Sequence, residues 1–355
     1  MDFSLYKIIE AKIQEKSLVS FNKREDFLEK STELLFRLCL NLTILSLFLI
    51  IAYVFYSSLG LFSHLGIIDL IKSCYSKIFT SDSQLSLFKQ VSTEKISFIE
   101  FIFSREWDPS PSNGKFGILP MIVASFYTTF LAVLISTPIG IGCAIFSAEL
   151  ATGKTKELIK LAVQILAGTP SVVYGYVGLS LLVPFLQKLS SFSSGFSILA
   201  ASLVLSFMIL PTIVGISQDV IRSVPKELKS ASLALGSTHY QAIVKVILPV
   251  AMPGLIMAIV LAISRAFGEA MAVKMVIGNI QSMPNFGQDY WFGLLSAART
   301  LTTNIIVDID YAREGNHLSS LFATGSVLLI IVMGVNYLAH GILKNLYKTT
   351  LRNKK

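Results

Sequence analysis

Apolar residues gather in six long runs, at about 38–61, 118–147, 158–187, 195–218, 252–280 and 319–343, with charge concentrated between them. A helix crosses the hydrocarbon core of a bilayer with roughly 20 mainly apolar residues, and each run meets that length. The pattern predicts an all-α polytopic membrane protein with six transmembrane helices. Ahead of the first run, Leu5, Ile8, Ile9 and Ile13 share one helical face between Lys7, Lys12 and Lys16. That spacing suits a short amphipathic helix lying on the membrane surface or against a partner. The polar stretch before Leu34 is too long for the n-region of a cleavable signal peptide, so the first run is expected to persist as a helix.

Composition agrees with this pattern. Of 355 residues, 53% are hydrophobic and 15% charged, and the mean hydropathy is +0.66, far too apolar for an ordinary soluble domain. The net charge of +8 would suggest nucleic acid in a soluble chain; here Lys and Arg retained on the cytoplasmic side account for it, and no nucleic-acid partner is expected. Six crossings put both ends on one side. On that side lie 7 Lys and Arg within 1–37, 3 at 154–160, 4 at 222–245 and 5 after 343, against 9 in the other loops, 6 of them in the long loop 62–117. The short loops decide orientation, so both termini are expected in the cytoplasm. Cys39 and Cys143 fall in apolar runs and Cys74 in a loop, while His64, His239, His317 and His340 are scattered; neither a disulfide framework nor a metal site is supported. The segment Ala148–Thr155, AELATGKT, resembles a phosphate loop only superficially. Ala148 replaces the required Gly and an apolar span replaces the strand, so no nucleotide site or other cofactor is expected.

Prolines are expected to interrupt the second span at Thr137-Pro138-Ile139-Gly140, the third at Gly168-Thr169-Pro170-Ser171 and the fourth at Pro211. Proline removes a backbone hydrogen bond and favours a kink. Kinks at membrane depth suit a transport path, although proline is also common in membrane helices. Thr169, Pro170 and Ser171 are therefore candidate path or kink residues. In the fifth span Gly254, Ala258, Ala262, Ala266 and Ala270 recur every fourth residue, a stripe that admits close approach of another helix. Next to it lie Arg265 and Glu269, four apart and on one face if the helix is continuous. Each charge costs about 2.5–3.5 kcal/mol at mid-membrane, so both are expected to point inward. Arg before Glu is the weaker order for an intrahelical pair, which indicates a purpose other than helix stability. A forked guanidinium suits an oxyanion; an interhelical clamp is the competing reading.

Between spans four and five, VPKELKSASLALGSTHYQAIVKVILPVAMPG reads as two short helices divided near Gly236-Ser237-Thr238 and closed at Leu248-Pro249. Gly236, Val246, Leu248 and Pro249 are spaced as in the cytoplasmic loop of bacterial ABC importer permeases, whose leading Glu-Ala-Ala triplet falls here on Ser230-Ala231-Ser232, with Glu227 three residues earlier. RAFGEAMAVKMVIGN at 265–279 resembles the corresponding run of PstC-type permeases of phosphate importers, with Ala270 where the family has Thr. AGTPSVVYG at 167–175, LPTIVGISQDVIRSVPKEL at 210–228 and the Trp107-Asp108-Pro109 segment followed by FGILP up to Pro120 add to it, so the resemblance covers about 107–345.

The resemblance implies a type I ABC importer permease fold with a cytoplasmic coupling helix. It divides the chain into a cytoplasmic segment 1–33, a first transmembrane helix 34–62, an extracytoplasmic loop 63–117, a transmembrane domain 118–345 with its coupling loop at 222–250, and a basic cytoplasmic tail 346–355. It further implies a multi-pass permease of the bacterial inner membrane with no ATPase site of its own. Its implied partners are a second permease of the PstA kind, an ATPase dimer of the PstB kind, an extracytoplasmic phosphate-binding protein of the PstS kind, phosphate and membrane lipid. Arg265 and Glu269 fall on the residues that line the phosphate path, and Glu227, Ala231, Gly236, Leu248 and Pro249 on the ATPase coupling loop. An intramembrane enzyme is disfavoured because no paired carboxylates, HExxH or nucleophile–base set occurs in the spans. A passive anion channel has no need of the hairpin. A permease for phosphonate, sulfate or molybdate is the nearer alternative.

Overall fold

A computed structural model describes residues 3–62, 96–110, 114–190, 194–284, 290–312 and 315–352. The facing of Leu5, Ile8, Ile9 and Ile13, the loop 63–95 with Cys74, and the side chains of the basic tail lie outside the described residues. Residues 1–56 form one compact unit and 57–355 another. The described residues of the first unit lie on one helix, α1 (Phe3–Leu59), whose last three residues belong to the second. The helix contains a membrane-spanning stretch, Lys30–Leu59, with none of its most apolar window buried. Glu33 and Arg37 pair on it at 2.6 Å, the one-turn spacing of neighbours on a helix surface.

The second unit opens with α2 (Phe98–Phe103) and a short hairpin, β1 (Trp107–Asp108) and β2 (Lys115–Phe116), paired Trp107 to Phe116. Then come α3 (Leu119–Ile145), α4 (Gly153–Gly168), α5 (Ser171–Val177), α6 (Val183–Ser190) and α7 (Ile198–Ser223). After them follow α8 (Lys226–Ala234), α9 (His239–Ala242), α10 (Leu248–Gly268), α11 (Met271–Val276), α12 (Tyr290–Leu295), α13 (Leu301–Asp308) and α14 (Asn316–Arg352). Wide π turns at Phe146–Leu150, Gly178–Leu182 and Ile243–Ile247 join α3 to its end, α5 to α6, and α9 to α10. With these turns, six helices among the described residues are long and apolar enough to cross a membrane.

Helix starts follow from local chemistry. Pro120 sits in the first turn of α3, where its missing N–H is no loss. Ser197 Oγ accepts from Ala200 N at 3.1 Å to cap α7, and Thr238 with Gln241 forms a capping box on α9. The centre of the bundle is α7, against which α3 and α10 pack. A Cβ on Gly140 would lie 2.7 Å from Ile213 Cγ2, and one on Gly254 2.4 Å from Val220 Cγ1, so these glycines set how closely the helices approach α7. Ala258, Ala262 and Ala266 are buried, as expected of the small-residue stripe.

The prolines behave differently from one another. Pro138 and Pro211 lie inside continuous helices, so the second and fourth spans are not interrupted there. The run expected at 158–187 is split: α4 ends at Gly168, Thr169 is extended, and the membrane-spanning stretch is Ser171–Leu189. Proline biases the preceding residue towards extended backbone, and here the helix end has other partners. Thr169 Oγ1 donates to Ile165 O and Tyr174 Oη to Leu166 O, both at 2.8 Å, replacing lost intrahelical bonds. At the end of the bundle where α3 and α14 begin, Trp107 Nε1 donates to Asp308 Oδ2 at 2.8 Å. Arg299 Nη1 pairs with Asp308 Oδ1 at 3.0 Å and donates to Asn304 Oδ1 at 2.9 Å. This buried knot fastens the β hairpin to α13.

Candidate functional site

The fifth span departs from the continuous helix expected over 252–280. α10 stops at Gly268, Glu269 adopts extended backbone (φ −74°, ψ 130°), and α11 starts two residues later. Arg265 and Glu269 thus flank a helix end rather than share a face, and among the described residues no ion pair joins them. The break is stitched from both sides. Glu269 Oε1 accepts from Ala272 N at 3.1 Å, meeting a free donor of the first turn of α11. Thr302 Oγ1 donates to Glu269 O at 2.9 Å. A glycine and a carboxylate that can cap are a local signal for such a stop; Thr302, 33 residues away, leaves none.

Arg265 is also placed differently from expectation: it is exposed on the single chain, while Glu269 is half-buried. The alanine stripe takes the face against α7, which leaves Arg265 at the edge. There Nη1 donates to Thr212 Oγ1 on α7 at 2.8 Å. Among the described residues most of its five guanidinium donors remain uncommitted. Tyr174, just past the Thr169-Pro170-Ser171 break, lies within electrostatic reach of Arg265. Gly175 faces the backbone of α11, since a Cβ there would lie 2.9 Å from Ala272 Cα. The two broken helices are therefore brought together, so that Tyr174 and Gly175, just past the break at 169–171, lie beside Arg265 and α11.

Sequence reasoning missed the hydroxyls around Glu269. Ser125, Thr128, Thr129, Thr300 and Thr302 line with it a cavity of about 10 Å³, room for roughly one water molecule. Thr128 Oγ1 is buried with no hydrogen-bond partner among the described residues. Thr128 and Thr129 stand one turn or less from Ser125 along α3, a polar seam legible only once α3 is known to pass Glu269.

The expected hairpin between spans four and five is present. α8 buries none of its nine residues, and Gly236 turns the chain at φ +85°, a left-handed conformation that disfavours side chains. Glu227 and Ala231 are exposed. Leu248 and Pro249 do not close the second helix as expected; it runs on into α10. The π turn before them explains this. Leu248 N bonds back to Ile243 O, a ring wider than an α turn, and Pro249 falls at the start of the regular helix, where its N–H is not needed.

A sequence model of the family described as binding-protein-dependent transport system inner membrane component matches residues 136–350. The probable ABC transporter permease protein YqgH of Bacillus subtilis (strain 168) is 44% identical over 237 residues, covering 66% of this chain and 74% of that protein. The phosphate transport system permease protein PstC of Mesorhizobium japonicum is 34% identical over 250 residues, covering 65% and 74%. Among solved structures, a bacterial alginate ABC transporter in complex with a pentasaccharide-bound periplasmic protein superposes with a TM-score of 0.50 and 16% identity, over 79% of this chain and 95% of that one; the likeness is one of fold. With the family match spanning more than half of the residues, this multi-pass chain belongs to the binding-protein-dependent transport system inner membrane components, the permease subunits of ABC transporters.

Proposed function

We propose that this chain, paired with a second permease of the PstA kind, forms the path by which an ATP-driven importer moves inorganic phosphate. The observation that carries the reading is Arg265, whose one bond among the described residues is to Thr212, beside the helix break at Glu269. Relatives named phosphate transport system permease PstC support the choice of substrate. A guanidinium fork matches phosphate oxygens. The Glu269 carboxylate accepts a hydrogen bond from a protonated oxyanion and repels a fully deprotonated one such as sulfate. Breaks at 169 and 269 fit the discontinuous helices that surround substrate in membrane carriers.

In this reading both termini face the cytoplasm, and the hairpin α8–α9 seats in an ATPase dimer of the PstB kind. Its exposed Leu228, Leu233, Leu235 and Tyr240 offer the apolar contact, with Glu227, Ala231 and Gly236 beside them. A binding protein of the PstS kind docks on the opposite loops, including 281–317, and delivers phosphate to a cavity between the two permeases. Closure of the ATPases then rocks the halves and exchanges access around the site. ATP is hydrolysed on the partner.

The test is uptake of labelled phosphate by vesicles holding the purified complex. Uptake is expected to require ATP and to be competed by phosphate and not by sulfate or molybdate. Arg265→Gln is expected to lower it by about 100-fold or more while ATPase association persists. Unchanged uptake in that variant overturns the site, and competition by sulfate or molybdate overturns the substrate.

A further inference from the structure

The hairpin α8–α9 is fastened to the second span by side chains that lie outside the proposed substrate site. Lys229, on α8, forms an ion pair with Glu149, in the π turn that ends α3. The two side chains are 26% and 12% exposed, so the pair is largely shielded from water although α8 buries none of its residues. Beside it Arg222, at the end of α7, donates to Ser147 O at 3.4 Å. With its amide oriented to satisfy its neighbours, Gln218 accepts from Arg222 Nη1 and from Ser147 Oγ, both at 3.0 Å. Residues 147–149 are thereby held by α7 and α8 at once. Among the described residues, Lys229–Glu149 is the ion pair that α8 makes.

The other end of the same span reaches the site. Ser125, Thr128 and Thr129 of α3 line the small cavity with Glu269. From Thr129 to Glu149 is about 30 Å of helix at 1.5 Å per residue. One continuous element therefore has the hairpin salt bridge at one end and the helix break at the other. Where the family loop places its acidic residue, this chain has Ser230, whose hydroxyl turns back to Lys226 O at 3.1 Å. The charge in this part of α8 is Lys229, and it is spent on Glu149.

We propose that Glu149 and Lys229 are positioning residues for transport, a rigid link through which displacement of the hairpin by the ATPase is passed to α3 and so to the wall of the site at Thr128 and Thr129. This rests on the reading of α8–α9 as the ATPase-facing hairpin. A partly buried ion pair is suited to the task because loss of either member leaves the other charge shielded and unpaired, whereas exchange of the two restores the pair.

The test uses the full complex with its ATPase, carrying Glu149→Gln, Lys229→Gln, or the exchange Glu149→Lys with Lys229→Glu. Copurification of the ATPase, ATP hydrolysis and labelled phosphate uptake are read together. Each single variant is expected to keep the ATPase bound and hydrolysing while phosphate moved per ATP falls about tenfold, with the exchange recovering to within about threefold of wild type. Uptake per ATP that stays within about twofold of wild type in both singles overturns the link. So does loss of the ATPase from the singles, which reduces the pair to a structural contact, or an exchange that fails to rescue. Should Gly236→Val leave ATPase association and transport untouched, the hairpin reading itself fails. Should the wild-type complex import no phosphate, a spin label at Phe130, exposed on α3, replaces uptake: its ATP-dependent change is expected in wild type and absent from Glu149→Gln, and its persistence there overturns the link.

Discussion

Replacing Gly175 with alanine adds one methyl group, 2.8 Å from Met275 Sδ and 2.9 Å from Ala272 Cα. Met275 is flexible and can turn aside; Ala272 meets the methyl with backbone. Restoring an ordinary separation of about 3.4 Å requires α5 and α11 to part by about 0.5 Å. Overpacking of this kind costs about 1–3 kcal/mol, and alanine returns about 1 kcal/mol of helix propensity. The net loss of stability is then about 0–2 kcal/mol. Transport is expected to suffer more, because Ala272 N is the donor to Glu269 Oε1. A shift of half an ångström there is expected to lower uptake by about tenfold. Gly254→Ala is the control: its methyl meets Val220 Cγ1 at 2.4 Å, a worse overlap on a stiff side chain, but some four turns of helix from Glu269. Thermal melting of the purified complex and initial rates of labelled phosphate uptake are measured on both. Gly175→Ala with wild-type uptake refutes the reasoning, as does equal loss of uptake in Gly254→Ala at equal stability.

Gly236→Val places a β-branched side chain at φ +85° with nothing within 4 Å, so it strains the hairpin by about 1–2 kcal/mol without touching the bundle; ATPase recovery on copurification is expected to fall, and normal recovery counts against the coupling role. Thr169→Val removes the donor to Ile165 O and is expected to cost about 1 kcal/mol; an unchanged melting profile shows that the break has no need of that bond. Arg299→Met removes the cation from Asp308 Oδ1 and leaves the buried carboxylate with Trp107 Nε1 and the nearby His317; it is expected to cost about 2–4 kcal/mol, while adding Asp308→Asn recovers much of it, and equal melting of the single and double variants sinks that account.

The number of spans was legible because a bilayer demands a fixed length of apolar residues, and that demand acts on one segment at a time. What the periodicity of one segment cannot reveal is a partner far along the chain. Pro138, Pro170 and Pro211 look alike in sequence, yet only Pro170 follows a helix end, where Tyr174 supplies a hydroxyl to the freed Leu166 carbonyl. The stop at Gly268 lies within an apolar run and depends in part on Thr302. Arg265 was identifiable as a charge at membrane depth, but its exposure follows from which face the alanine stripe surrenders to α7. Trp107 stood out as part of a segment resembling a family, and its partner Asp308 came from no local pattern.

The π turns at 146–150 and 243–247 lie where the second and fifth spans meet the hairpin. Each holds one residue more than a regular turn. Wound as α-helix, the same sequence would be out of phase beyond that point by about 100°, and Lys229 would meet a different side chain from Glu149. Hairpin and fifth span therefore keep separate helical phases, and the wide turn at 243–247 absorbs the difference. A wheel drawn through 243–247 misassigns every face of α10 beyond it, whereas at 146–150, where α3 ends, the wide turn sets the direction in which Glu149 leaves the helix.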